Sequence, residues 1–358
     1  MRVLLVEEGW HSTMYLARAL ADAGHDVTAL TANGTAASCT HRGVRWISGP
    51  RVDSPPFTAS LAQIAPAFDR ILPLTEPAMI RLWDASGPWS DRLWPHAEPW
   101  QRRLVRDKHA LVAHMAAKGI EVPAQRPIGD ELERLPVVIK GATGCGGRMV
   151  RIVETRDALA SARARAARLG GEWVAQELLP GPTYLFGGLF DRGAPVRIYA
   201  GRKLEQHPPR TGGAIALRSV ADDALVELGV RAMRELRWTG FASADLMRRA
   251  DGRPVLVEIN PRLWGSLAGA QAAGVDLFTP FAALFGGCAP APDLRFAPER
   301  DCWIFPRYLN AAAHRNLGGA RRALRDLRGD QGEDWRDPRF VVHILRRLFH
   351  MKRQSPRF

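Results

Sequence analysis

The segment VLVEINPRLWGS, residues 255–266, limits what this chain can become more than any other stretch. An apolar strand runs into a carboxylate, an amide and a guanidinium. Glu258, Asn260 and Arg262 are spaced two apart, so on an extended backbone they face one side. Pro261 sits between the last two and fixes φ where the strand ends. Upstream, GFASADLMRRADGRP reads as the partner strand of a hairpin turning at Ala250-Asp251-Gly252, and it carries Asp245. Two acids and an amide on neighbouring strands are hard oxygen donors of the kind that suit Mg²⁺ together with nucleotide phosphates. The plainer alternative is a solvated strand edge with a salt bridge from Arg262.

The rest of the chain reads as alternating strands and helices. VLLV, a helical stripe through Leu16, Ala19 and Leu20, Gly24 and DVTAL form a βαβ opening. It has no GxGxxG, which argues against a dinucleotide. DRILPLTEP, 69–77, predicts a later strand of the same sheet, and SGPWSDRLWPHAEPW marks a boundary near residue 100. Lys108 then leads a helix that stops at Gly119. PVVIKGATGCGGRMVRIV predicts strand, glycine-rich turn, strand. Lys140 closes the first strand, and Gly144, Gly146 and Gly147 let backbone N–H groups approach phosphates closely. The loop is not of the Walker type, and alone it is equally an ordinary hairpin. YLFGGLFDRGAPVRIYAGRKL predicts paired strands around an Asp-Arg-Gly turn, and a helix follows near 222–236.

With 358 residues the chain has room for two or three domains. Its formal net charge is +13, compatible with nucleic acid, an anionic membrane face or polyanionic substrates. From Arg307 to Phe358, however, thirteen Lys/Arg stand against five Asp/Glu, which places +8 of the charge in the tail. No aromatic-interleaved basic patch occurs elsewhere, so a nucleic-acid partner is not expected. Residues 339–354 carry apolar side chains at 340, 341, 344, 345 and 348 flanked by Arg346, Arg347, Lys352 and Arg353. That pattern fits a helix docked on the body, on a second copy in a homodimer, or on anionic lipid. The four cysteines (Cys39, Cys145, Cys288, Cys302) form no CxxC pair, no apolar run is long enough to span a membrane, and Glu7 and Glu8 interrupt the N-terminal apolar run. These features together predict a cytoplasmic protein.

In order and spacing, Lys108, Lys140 with its glycine hairpin, QELLPG, Asp245 and EINPR resemble the ATP-grasp superfamily, in particular its carboxylate–amine ligase branch. The resemblance spans roughly residues 1–290. It implies an α/β fold in which two α+β subdomains clamp ATP behind a Rossmann-like N-terminal domain. The expected divisions are 1–100, 101–172, 173–300 and a basic helical extension over 301–358. The resemblance further implies that Lys108 and Lys140 hold the α- and β-phosphates. Gln176 or the Glu177 carbonyl would accept from the adenine amine, and the Leu179 N–H would donate to the ring. Asp245, Glu258 and Asn260 would ligate Mg²⁺, with Mn²⁺ compatible, and Arg262 would face the γ-phosphate. Lys203 and Arg210 of RKLEQHPPRTGGA offer cations to an acidic substrate or to the phosphoryl group.

Two departures from the family pattern stand out. Thr183 follows the hinge where an acid or His often binds ribose, and Arg148-Met149 replaces Lys-Gly after the glycine loop. The implied reaction joins a small carboxylate to an amine through an acyl phosphate, releasing ADP and phosphate. The alternatives are transfer to a hydroxyl or bicarbonate, and a binding module with a vestigial nucleotide site.

Overall fold

In a computed structural model, residues 1–6, 12–32, 43–129, 134–142 and 149–304 are described here. The glycines at 144, 146 and 147, Arg148 and the amphipathic stretch 339–354 lie outside them.

A four-stranded parallel sheet opens the chain: β1 (Arg2–Val6), β2 (Asp26–Ala32), β3 (Val44–Gly49) and β4 (Arg70–Pro73), in the order β3-β2-β1-β4. Helices α1 (Ser12–Asp22), α2 (Phe57–Ile64) and α3 (Glu76–Asp84) accompany it. The uninterrupted VLLV run is explained by burial on both faces. Val3 and Leu5 join one core with Leu16 and Leu20 of α1, and Leu4 and Val6 join another with Phe57 and Leu61 of α2.

Two more sheets follow. β5 (Gln125–Pro127), β6 (Val137–Gly141), β7 (Val150–Val153) and β8 (Trp173–Glu177) form a four-stranded antiparallel sheet, order β5-β8-β6-β7, under α6 (Arg156–Leu169). β9 (Tyr184–Asp191), β10 (Ala194–His207), β11 (Gly213–Ser219), β12 (Gly240–Arg248), β13 (Pro254–Asn260) and β14 (Asp301–Trp303) form a six-stranded sheet, order β13-β12-β9-β10-β11-β14. One of its faces packs on α4 (Pro99–Arg106), α5 (Lys108–Ala117) and α7 (Asp223–Leu236). The other meets the N-terminal sheet, α8 (Ala268–Ala272) and α9 (Phe278–Phe285). Alternation sorts β9 between them: Leu185 and Leu189 face one core, Phe186 and Phe190 the other.

Caps and turns follow local chemistry. Asp107 Oδ1 accepts from the His109 and Ala110 N–H groups (2.8 and 3.1 Å) to start α5, and Asp222 does the same for α7 through Leu225. The β9–β10 turn places Arg192 and Gly193 at φ +48° and +85°, the two-residue hairpin geometry its Asp-Arg-Gly sequence predicts.

The sheets divide the chain differently from the sequence reading. β8 pairs with β6, so the first lobe's sheet runs to Glu177 rather than to 172. α4 and α5, expected in that lobe, pack instead on the six-stranded sheet through Leu104, Val105, Leu111 and Met115. Residues 301–303, expected to begin a helical tail, pair with β11. Among the described residues no helix is long and apolar enough to cross a membrane.

Candidate active site

The cleft between the two antiparallel sheets gathers most of the residues singled out above. β12 and β13 pair so that Asp245 stands opposite Glu258 and Ser243 opposite Asn260. The register slips by one between Asp245 and Leu246, leaving Val257 as an extra residue on β13. This bulge explains how Leu256 and Ile259, three apart, both enter one core. It also turns Glu258 and Asn260 out of that core and toward the cleft. Simple alternation along VLVEIN puts the polar residues on one side but gives no sign of the bulge that sets which side.

Two lysines converge on Glu258. Lys108 Nζ, at the first position of α5, donates to Oε1 at 2.8 Å, and Lys140 Nζ, at the end of β6, lies 3.0 Å from Oε2. Lys140 Nζ also lies 3.5 Å from the carbonyl of the bulged Val257. Lys203 Nζ of β10 donates to Asp245 Oδ2 at 2.7 Å. All three ammonium-bearing side chains are buried. Burial works to raise the Glu258 carboxyl pKa, but the charges of Lys108 and Lys140 overcome it and hold it well below the usual carboxylate range. Burial likewise works against the Lys108 ammonium, yet Glu258 and Glu76 leave its pKa above the ordinary lysine value.

Arg262 Nη2 reaches Asn260 Oδ1 at 3.5 Å, and its Nε lies 4.0 Å from Glu76 Oε2. Glu76 was not foreseen as a site residue. In sequence it is an acid in the first turn of a helix after a Thr cap, where acids are common for dipole reasons alone. Only the packing of α3 against the cleft reveals it. Its side chain is buried, and that burial raises its pKa despite Lys108 and Arg262. Beside Arg262 an apolar recess is lined by Leu16, Leu74, Met79, Trp94 and Phe281.

Gln176 is buried in β8, Leu179 is buried just beyond it, and Thr183 is buried with its carbonyl accepting from the Lys203 N–H (2.9 Å). The Gln176 Nε2, a donor, has no hydrogen-bond partner. The Glu177 carboxylate is taken up by Arg249 (2.6 and 2.8 Å) and the Ala124 N–H, so its side chain ties the hinge to the β12–β13 hairpin. Arg210 is not brought to the carboxylates. It sits in a turn at φ +66°, and its ion pair is with Glu154 after β7 (3.4 Å), an exposed bridge between the lobes.

Residues 105–266 match the family of ATP-grasp domains. Over 134 residues the chain is 29% identical to a D-alanine–D-alanine ligase of Chromohalobacter salexigens, covering 35% of this chain and 43% of that protein. It thus spans less than half the length of the curated relative it matches. Among solved structures, an L-amino acid ligase from Bacillus licheniformis superposes with a TM-score of 0.62 at 18% identity, covering 78% of this chain and 72% of the other. A biotin carboxylase from Campylobacter jejuni gives 0.64 at 18% identity over 80% and 71%. N5-carboxyaminoimidazole ribonucleotide synthetase from Thermotoga maritima gives 0.62 at 15% over 81% and 77%. At such identities the likeness carries the fold. Over residues 105–266, then, the chain matches the ATP-grasp domain family, and its three sheets share the fold of these solved structures.

Proposed function

We propose that this protein ligates a small carboxylate to an amine with ATP, through an acyl phosphate. The observation that carries the reading is the cross-strand pair Asp245/Glu258 facing three buried lysines from three other elements. Buried cations of that number are costly unless paired, and a polyphosphate is the ligand class that matches them. Lys108 and Lys140 would exchange Glu258 for the phosphates, with Gly144, Gly146 and Gly147 laying backbone N–H groups alongside. The Glu177 carbonyl and Leu179 N–H would pair with adenine, while Gln176 Nε2 would donate to a ring nitrogen. Thr183 would offer ribose a neutral hydroxyl.

Asp245, Glu258 and Asn260 form an all-oxygen donor set that fits Mg²⁺, with Mn²⁺ an acceptable substitute. When bound, the ion supplies charge neutralisation at the phosphoryl oxygens. Arg262, steadied by Glu76, holds the substrate carboxylate beside the γ-phosphorus. A carboxylate oxygen attacks that phosphorus and the bond to ADP breaks. The amine nitrogen then attacks the acyl carbon, phosphate leaves, and the amine loses a proton. Lys203, released from Asp245, balances charge on the transferring group. Arg210 approaches it only if the Glu154 pair opens. The apolar recess beside Arg262 suits an apolar group on one substrate.

The test is an ADP-release screen of carboxylates crossed with amines. Amine-dependent ADP formation with an acylated amine is expected. Turnover that responds to bicarbonate or a hydroxyl acceptor instead would move the protein to the rival reaction, and AMP with pyrophosphate would remove the acyl phosphate altogether. Glu258→Gln should nearly abolish turnover. It should also destabilise the nucleotide-free fold by about 3 kcal/mol, because two buried ammonium groups lose their anion. Activity within about threefold of wild type at saturating Mg²⁺ would refute the ligand assignment.

A further inference from the structure

Three side chains outside the lysine–carboxylate cluster meet at the base of the first lobe. Asp107 caps α5, His109 lies two residues on, and Glu172 immediately precedes β8. One ligand atom from each lies within 4.8 Å of the other two. His109 is 9% exposed, and its Nε2 has no hydrogen-bond partner. An unpaired buried polar atom is costly, so it calls for a reason. Asp107 caps the helix through Oδ1, which leaves Oδ2 as its ligand atom.

We propose that Asp107, His109 and Glu172 bind a first-row divalent cation of the Zn²⁺ type, at a site separate from Asp245, Glu258 and Asn260. An imidazole nitrogen with two carboxylate oxygens favours such an ion over Mg²⁺, which prefers oxygen throughout. Burial keeps the imidazole pKa low, hence in its neutral, ligating form. Tetrahedral coordination at about 2.0–2.2 Å sets ligand atoms roughly 3.4 Å apart. Glu172 is exposed and long enough to swing in, and its exposed side leaves the fourth position to water. The positive end of α5 opposes a cation. Two carboxylates within reach outweigh that.

The placement gives the ion a task. The Lys108 N–H donates to the Ala142 carbonyl (3.1 Å), and the Ala142 N–H donates to the Glu172 carbonyl (3.0 Å). A cation held by Asp107, His109 and Glu172 would lock these strands of backbone together and fix where Lys108 starts.

Co²⁺, whose visible spectrum reports its ligands, is the probe, added to the full chain with Mg²⁺ in excess and then displaced by Zn²⁺. One equivalent should bind with a nitrogen-containing spectrum. Glu172→Gln, at an exposed position that leaves the core intact, should weaken binding by about tenfold or more while leaving ATP turnover in Mg²⁺ without added Co²⁺ or Zn²⁺ unchanged. His109→Gln should abolish the nitrogen signature, and Glu258→Gln should leave it untouched. Absence of binding, equal binding by Glu172→Gln and wild type, or loss of the spectrum in Glu258→Gln would each overturn the site.

Discussion

Glu76 shows how a single acid can cost stability and serve a site. Its pKa is raised in the fold, chiefly by burial. For such a group the sign of the linkage is fixed. Its contribution to stability is fully present below its ordinary value of 4.5 and is lost as pH rises through the higher folded value. At neutral pH, then, the charged Glu76 strains the fold that contains it. Glu76→Gln should raise the melting temperature at pH 7–8 relative to wild type, and the gain should shrink as pH falls through the raised folded value and be gone below about 4.5. Turnover should fall at the same time, because Arg262 loses its anionic neighbour. Thermal unfolding across pH, paired with ADP release, reads both effects. A variant less stable than wild type at pH 7–8 would show that the Arg262 contact outweighs the burial cost.

At the scale of elements, α7 and β9 approach closely because Gly229 has no side chain. A Cβ there would overlap the ring of Phe186, which is fully buried in the core beneath the six-stranded sheet. Two effects compete in Gly229→Ala. Helix propensity favours Ala by about 1 kcal/mol, whereas overpacking a rigid core costs about 1–3 kcal/mol. Net destabilisation of up to about 2 kcal/mol is expected in urea titration; a more stable variant would mean that Phe186 can move aside. Contacts of this kind were beyond the sequence, and the pattern of what was legible is physical. Local signals came through: VLLV and DVTAL as strands, Gly24 and Gly119 as helix stops at φ +81° and +71°, and the two hairpin turns. Asp245, Glu258 and Asn260 could be placed on one hairpin because alternation and a turn suffice for that. The Val257 bulge, the pairing of β8 with β6 and the arrival of Glu76 all depend on non-local packing, which leaves no periodic trace. The aromatic contacts of Phe281 with Phe241 (4.6 Å) and Trp94 (5.1 Å) likewise join segments far apart in sequence.

Across the whole molecule the cores are unequal. The N-terminal sheet and the six-stranded sheet share one large apolar cluster, running from Leu5 and Leu16 through Leu189 and Tyr199 to Phe281. Among the described residues the four-stranded lobe has its own core of eight buried side chains, including Ile139, Leu159 and Trp173. Among the described residues its side-chain ties to the rest include Lys140 to Glu258, Glu177 to Arg249 and Glu154 to Arg210, all polar. Small cores open more readily than large ones. Amides of β6 and β8 should therefore exchange with deuterium before those of β1 and β9, and ATP with Mg²⁺ should slow the first group most. Uniform exchange over all three sheets would contradict this division. The joint between the lobes has one further consequence. Glu258 is the carboxylate that both Lys108 and Lys140 meet at close range, so an ion that takes it leaves both ammonium groups short of an anion, and a polyanion that takes the ammonium groups strands the carboxylate. Either ligand alone meets an uncompensated charge; both together meet none. By reciprocity the metal must tighten the nucleotide by the same factor as the nucleotide tightens the metal, which makes the cleft a logical conjunction whose two inputs are read at one side chain.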